Sequence, residues 1–175
     1  LVDEATPVLL LASAAALAFA ALLMLIPAWA APLAAAAVAL GLGWIAFNRP
    51  GPSLLNLAWT GALVALGALA VSPHAVAEAI LLAGIDDPQH WFGGPADSLF
   101  APLRWLAAGL PFLARTRIEP RGSARPVAEA LAALLAYGVA AQLVPADGHA
   151  WPAALGAAAL CLTLPSRAGA WGALL

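Results

Sequence analysis

Between Pro7 and Pro27 runs VLLLASAAALAFAALLMLI, nineteen residues with no charge and a single hydroxyl, Ser13. A helix apolar on every face has no side to turn to water, so it is either the core of a large protein or a membrane span. The rest of the chain decides between these. It has 175 residues, 64% of them hydrophobic and 9% charged, where a soluble domain carries about 25% charged residues. A chain this short and this apolar lacks the polar residues to cover such a core in water. The composition therefore implies an integral membrane protein.

The same run could imitate a secretory signal, because Ala28-Trp29-Ala30 has the small-x-small form of a cleavage site. The residues ahead of it are Asp3 and Glu4, where a signal peptide needs positive charge. A retained helix is expected. The formal net charge of −2, with no Lys in the chain, argues against nucleic acid as a partner. Cys161 is the only cysteine; it excludes an internal disulfide and reads as a small buried hydrophobe. Abundant Ala without Lys suits a GC-rich bacterial genome, and hence an inner membrane.

Proline and glycine punctuate the chain into spans of the length a bilayer requires, about 17–25 residues. The expected architecture is all-α, a polytopic integral membrane protein forming one transmembrane domain over 1–175. Six transmembrane helices are placed at about 7–26, 30–47, 54–71, 98–114, 127–144 and 152–172. Thr6 is the expected N-cap of the first, with Pro7 at its first helical position. Asp97-Ser98 is the expected cap of the fourth. Between the third and fourth lies AVAEAILLAGI, too short to cross at 1.5 Å per residue. It is assigned to a short interfacial helix over 73–84.

Arginine placement tests this layout. With six spans and the N-terminus in the cytoplasm, Arg49, Arg115, Arg117, Arg121, Arg125 and Arg167 all fall on the cytoplasmic side, and Arg104 alone does not. That is the asymmetry of the positive-inside rule. If 98–114 failed to cross, the RTRIEPRGSAR loop would move opposite Arg49 and the asymmetry would collapse. Both termini are therefore expected in the cytoplasm. Trp29, Trp91, Phe92 and Trp151 then fall at the outer boundary. Trp44, Phe47, Trp59 and Trp171 fall at the inner one, as interfacial aromatics do.

Small residues recur at every fourth place: Ala12, Ala16, Ala20; Ala35, Ala39, Gly43; Ala132, Ala136, Ala140; and Ala153, Ala157, Cys161. Such stripes let helices approach closely in lipid, although Ala is common enough here to produce them by chance. Residues 7–51 and 126–169 share a PV start, an LIPAW or LVPADGHAW turn and an NRPG or SRAG end, the outline of a repeated hairpin.

Chemistry is sparse. The expected outer face holds His74, His90 and His149 with Glu78, Asp86, Asp87, Asp97 and Asp147. His74 and Glu78 are four apart and share a helix face. With His90 and His149 they offer metal-ligand types, but no compact motif such as HExxH is present, so a solvated polar loop is preferred and no cofactor is expected. Arg104 lies about two turns below the outer surface, where it is a transport or buried-charge residue with Asp97 or Glu78 as its partner. Glu129 can face Arg125. Arg115, Arg117, Arg121 and Arg125 form a basic cluster that sets topology and attracts anionic lipid headgroups.

These features support three functional readings. The first is a non-catalytic membrane subunit or assembly partner of a larger complex, its partners being the bilayer and other membrane subunits or further copies of itself. Its warrant is spans almost free of ionisable groups. The second is a small oligomeric transporter or permease component, resting on Arg104, the outlined repeat and the prolines within the spans. The third is a membrane enzyme with an outer-face site at His74, Glu78, Asp86, Asp87 and His90.

Overall fold

The computed structural model describes residues 5–72, 78–79, 100–119 and 124–143. Five helices make up this part: α1 (Ala5–Leu25), α2 (Ala31–Asn48), α3 (Pro52–Ala70), α4 (Ala101–Ile118) and α5 (Arg125–Leu143), with a 3-10 turn at Ala28–Ala30 between the first two. Among the described residues there is no strand. Glu78 and Ala79 are also helical. The rest of the expected interfacial helix 73–84 and the whole expected span 152–172 lie outside the described residues, as does most of the second hairpin of the outlined repeat.

Three stretches are long and apolar enough to cross a membrane: Thr6–Leu25, Ala28–Asn48 and Pro52–Ala70. They correspond to the first three expected spans, and their length and composition are those of a membrane protein. Six spans are more than the described residues contain in this sense. α4 carries Arg104, Arg115 and Arg117 within its 18 residues, a higher charge load than a lipid-facing span tolerates.

Several boundaries differ from the sequence reading, each for a local reason. α1 already includes Ala5, so Thr6 and Pro7 lie within its first turn. α3 begins at Pro52, because a proline lacks only an N–H that the first turn leaves unpaired anyway. α4 begins at Ala101, after Phe100 as N-cap and with Pro102 in its first turn. Asp97-Ser98, the expected cap, lies outside the described residues. At the other end α4 continues past residue 114 to Ile118, with Pro111 inside it.

Neighbouring contacts fix the direction of each helix. The Trp29 and Phe100 rings stand 4.2 Å apart, so α4 starts beside the turn between α1 and α2. A Cβ placed on Gly43 would lie 3.5 Å from the Ile118 side chain, so α4 ends beside the last turns of α2. α2 and α4 thus run the same way, with α3 returning between them in the chain. α5 runs back along α4, Leu135 beside Gly109 and Gly138 beside Trp105. Arg49, Arg115, Arg117 and Arg125 consequently share one end of the bundle, while Arg104 and Glu78 lie toward the other.

The core is built from small residues. Ala35, Ala39 and Gly43 are buried on α2, and a Cβ on Gly61 of α3 would come within 3.2 Å of the Ala39 Cα. In lipid there is no water to drive helices together, so such close backbone approach, and the dispersion contacts it permits, carries the packing. A second cluster joins Ala62 and Leu69 of α3 to Ala108 and Phe112 of α4 and to Ala128 and Leu135 of α5. The outside is apolar: Leu9, Leu10, Leu17, Met24 and Leu25 of α1 and Trp44 and Phe47 of α2 are exposed. None of residues 6–25 of α1 is buried, so its Ala12, Ala16, Ala20 stripe makes no enclosed contact, and Ala132, Ala136 and Ala140 are likewise not buried. Ala153, Ala157 and Cys161 lie outside the described residues. Among the described stripes, only that of α2 is buried along its length, while on α5 Ala132 packs partly buried against the second cluster.

Candidate functional site

One face of α4 points into the bundle. Ala101, Arg104, Ala108, Phe112 and Arg115 recur at intervals of three and four and are all buried, the spacing of a single helix face. The face is alanine and phenylalanine in its middle and arginine at each end. The two arginines are separated by about 16 Å along the helix, at 1.5 Å per residue. Both arginines are buried, so each depends on partners close at hand.

At the first end, Arg104 is 0% exposed and Glu78 1% exposed. The Arg104 Nη2 group donates to Glu78 Oε1. The adjacent Trp105 donates its indole N–H to Glu78 Oε2 at 2.7 Å, so both carboxylate oxygens are engaged. The Trp105 ring lies against α5 at Gly138, where an added Cβ would overlap it. The cluster therefore joins three parts of the chain: the segment holding Glu78, the first turn of α4, and α5. A buried ion pair is tolerated only when the geometry is good and further hydrogen bonds satisfy what remains; the indole supplies that on the acid side. On the base side the accounting is incomplete. Arg104 Nε and Nη1 are buried without a hydrogen-bond partner.

At the second end, Arg115 is 5% exposed. Its Nη2 donates to Glu119 Oε2 at 2.5 Å, one turn further on, and its guanidinium carbon stands 5.7 Å from the Trp59 ring centre, within range for a cation–π contact. Trp59 in turn meets Phe112 edge-on at 5.9 Å. Here too Nε and Nη1 are buried without partners. Nearby Thr116 donates its hydroxyl to the Leu113 carbonyl at 2.8 Å, a back-bond within its own helix. At the start of α5, Arg125 Nε donates to Glu129 Oε1 at 2.7 Å. Arg117 is exposed.

The structure thus brings together Arg104 and Glu78 from the sequence-derived set, and it sets Arg115 apart from them at the opposite end of α4. For Glu78 the picture of a solvated polar segment does not hold, since it is enclosed. Asp97, His74, His90, His149, Asp86, Asp87 and Arg121 lie outside the described residues. Among the described residues, no three His, Cys, Asp or Glu side chains come together in a way that could hold a metal ion. Three participants escaped the sequence reading. Trp105 carried a readable signal, since an indole N–H taken out of water needs an acceptor, and Glu78 is one. Glu119 stands four residues after Arg115, the ordinary spacing of a helical ion pair. Trp59 carried no such signal, because its meeting with Arg115 is made by helix packing.

No protein-family model, no curated protein and no solved structure matches this chain. The functional reading accordingly rests on the geometry.

Proposed function

We propose that this protein is a non-catalytic integral membrane subunit, or assembly partner, of a larger complex in a bacterial inner membrane, with both its termini in the cytoplasm. The observation that carries this reading is the closed state of the Arg104–Glu78–Trp105 cluster, in which the acid has both oxygens engaged and neither charge meets solvent. A group that passes protons or captures a solute has to exchange partners. An enclosed pair joining separate segments acts as a clasp that holds a shape, and a fixed shape is what a subunit presents to its neighbours. The arginines at one end of the bundle support a cytoplasmic assignment for that end by the positive-inside rule.

A second reading, a small transporter or permease component, is favoured by one observation. Arg104 keeps two nitrogens without acceptors, and an intramembrane arginine with donors to spare suits an anionic solute. One pair of experiments separates the readings. Purified from its own membrane in mild detergent, the chain is expected to retain a partner at fixed stoichiometry, and alone in liposomes it is expected to move no solute. A chain that is stable by itself and carries an anion across liposomes, with transport abolished by Arg104→Met, contradicts the subunit reading.

A further inference from the structure

We propose that Arg115 is the anchor of a binding site for the phosphate of an anionic phospholipid. The site follows from what Arg115 already has and what it lacks. A guanidinium offers five N–H donors. Only Nη2 has a hydrogen-bond partner, Glu119, while Nε and Nη1 have none in spite of being buried. Leaving charged donors without acceptors in an apolar setting is unfavourable, and a native group in that state calls for a missing partner. The flat fork of a guanidinium matches the tetrahedral oxygens of a phosphate.

The position favours a lipid as the source of that phosphate. Arg115 lies three residues from the end of α4, about 5 Å along the axis; with α4 crossing alongside α2, as the proposed topology has it, that places the guanidinium at a headgroup boundary and not at the hydrocarbon centre. Its orientation is set beforehand by Glu119 on one side and the Trp59 ring on the other. Glu119 has a side-chain exposure of 37%, so the route from the surroundings to the buried Arg115 donors runs past that carboxylate. Arg49 and Arg117 are exposed at the same end, and they raise the local concentration of anionic headgroups without being oriented for any one of them. The site does not depend on the subunit reading.

The test uses the full chain in mild detergent micelles, titrated separately with phosphatidylglycerol, phosphatidylcholine and inorganic phosphate, with bound lipid counted by native mass spectrometry and the thermal midpoint followed in parallel. Phosphatidylglycerol is expected to be retained in preference to phosphatidylcholine and to raise the midpoint. Arg115→Lys keeps the charge but loses the fork, and retention is expected to fall roughly tenfold, the weight of one charge-assisted hydrogen bond. Arg117→Ala, at an exposed position, is expected to change retention by less than about threefold. Glu119→Gln removes the competing carboxylate while leaving Arg115 in place. It is expected to increase retention, and it decides the matter should Arg115→Lys not fold. Equal losses in Arg115→Lys and Arg117→Ala, equal retention of the two lipids, lower or unchanged retention in Glu119→Gln, or equal protection by inorganic phosphate at matched concentration would each overturn the proposal.

Discussion

Taking a guanidinium and a carboxylate out of water carries a penalty of several kcal/mol per ion, which their attraction offsets only at close range. Arg104 and Glu78 are in that position, so the sign of a substitution depends on whether one partner or both are removed. Arg104→Met strands a buried carboxylate and is expected to lower stability by about 3–5 kcal/mol, as is Glu78→Met for the stranded guanidinium. The double variant Arg104→Met with Glu78→Met strands nothing and is expected to be more stable than either single variant. Reversible unfolding in mixed micelles measures all three, and a double variant as unstable as the sum of the singles would mean that the two residues act independently. Trp105→Phe keeps an aromatic ring, though a smaller one, and removes the N–H that satisfies Glu78 Oε2. A loss of about 1–3 kcal/mol is expected in the same measurement, and no loss would show that the indole bond is dispensable.

At the scale of elements, glycine marks where helices touch. Gly138 faces the Trp105 ring so closely that no Cβ fits, whereas Gly41 on α2 has nothing near the place a Cβ would take. Gly138→Ala is expected to destabilise by about 1–3 kcal/mol through overpacking and to shift the Trp105 emission, while Gly41→Ala, inside α2 with open space around it, is expected to be neutral or to stabilise by up to about 1 kcal/mol. Equal effects of the two would remove the argument for a tight α4–α5 crossing. The helices themselves were legible from apolar length and from Pro and Gly punctuation, because both act within the local chain; α2 and α3 begin and end within two residues of their expected spans. Boundaries that depend on more than local signals were not. α4 runs on through Arg115 because Glu119 and Trp59 give that charge partners inside the fold, and nothing in a hydropathy pattern shows this. The site was legible in part for the same reason. Arg104 stood out as a charge among alanines, but the choice between Asp97 and Glu78 is made by the packing that brings a residue 26 positions away against α4.

At the scale of the whole molecule, charge and apolar surface are separated along the helices. Among the described residues, Arg49, Arg115, Arg117 and Arg125 gather at one end, and large apolar side chains cover the outside. Contact with lipid would account for the second feature, and on the proposed topology retention of arginine in the cytoplasm would account for the first. One labelling experiment tests both features together. In a Cys161→Ala background, single cysteines replace Arg49, Arg117 and Ala28, all at exposed positions or beside them, and are exposed to a membrane-impermeant maleimide in intact cells and in inverted vesicles. The account predicts that Arg49→Cys and Arg117→Cys react only in inverted vesicles and that Ala28→Cys reacts only in intact cells. Labelling of Arg49→Cys and Arg117→Cys from opposite sides, or of all three from the same side, would contradict it.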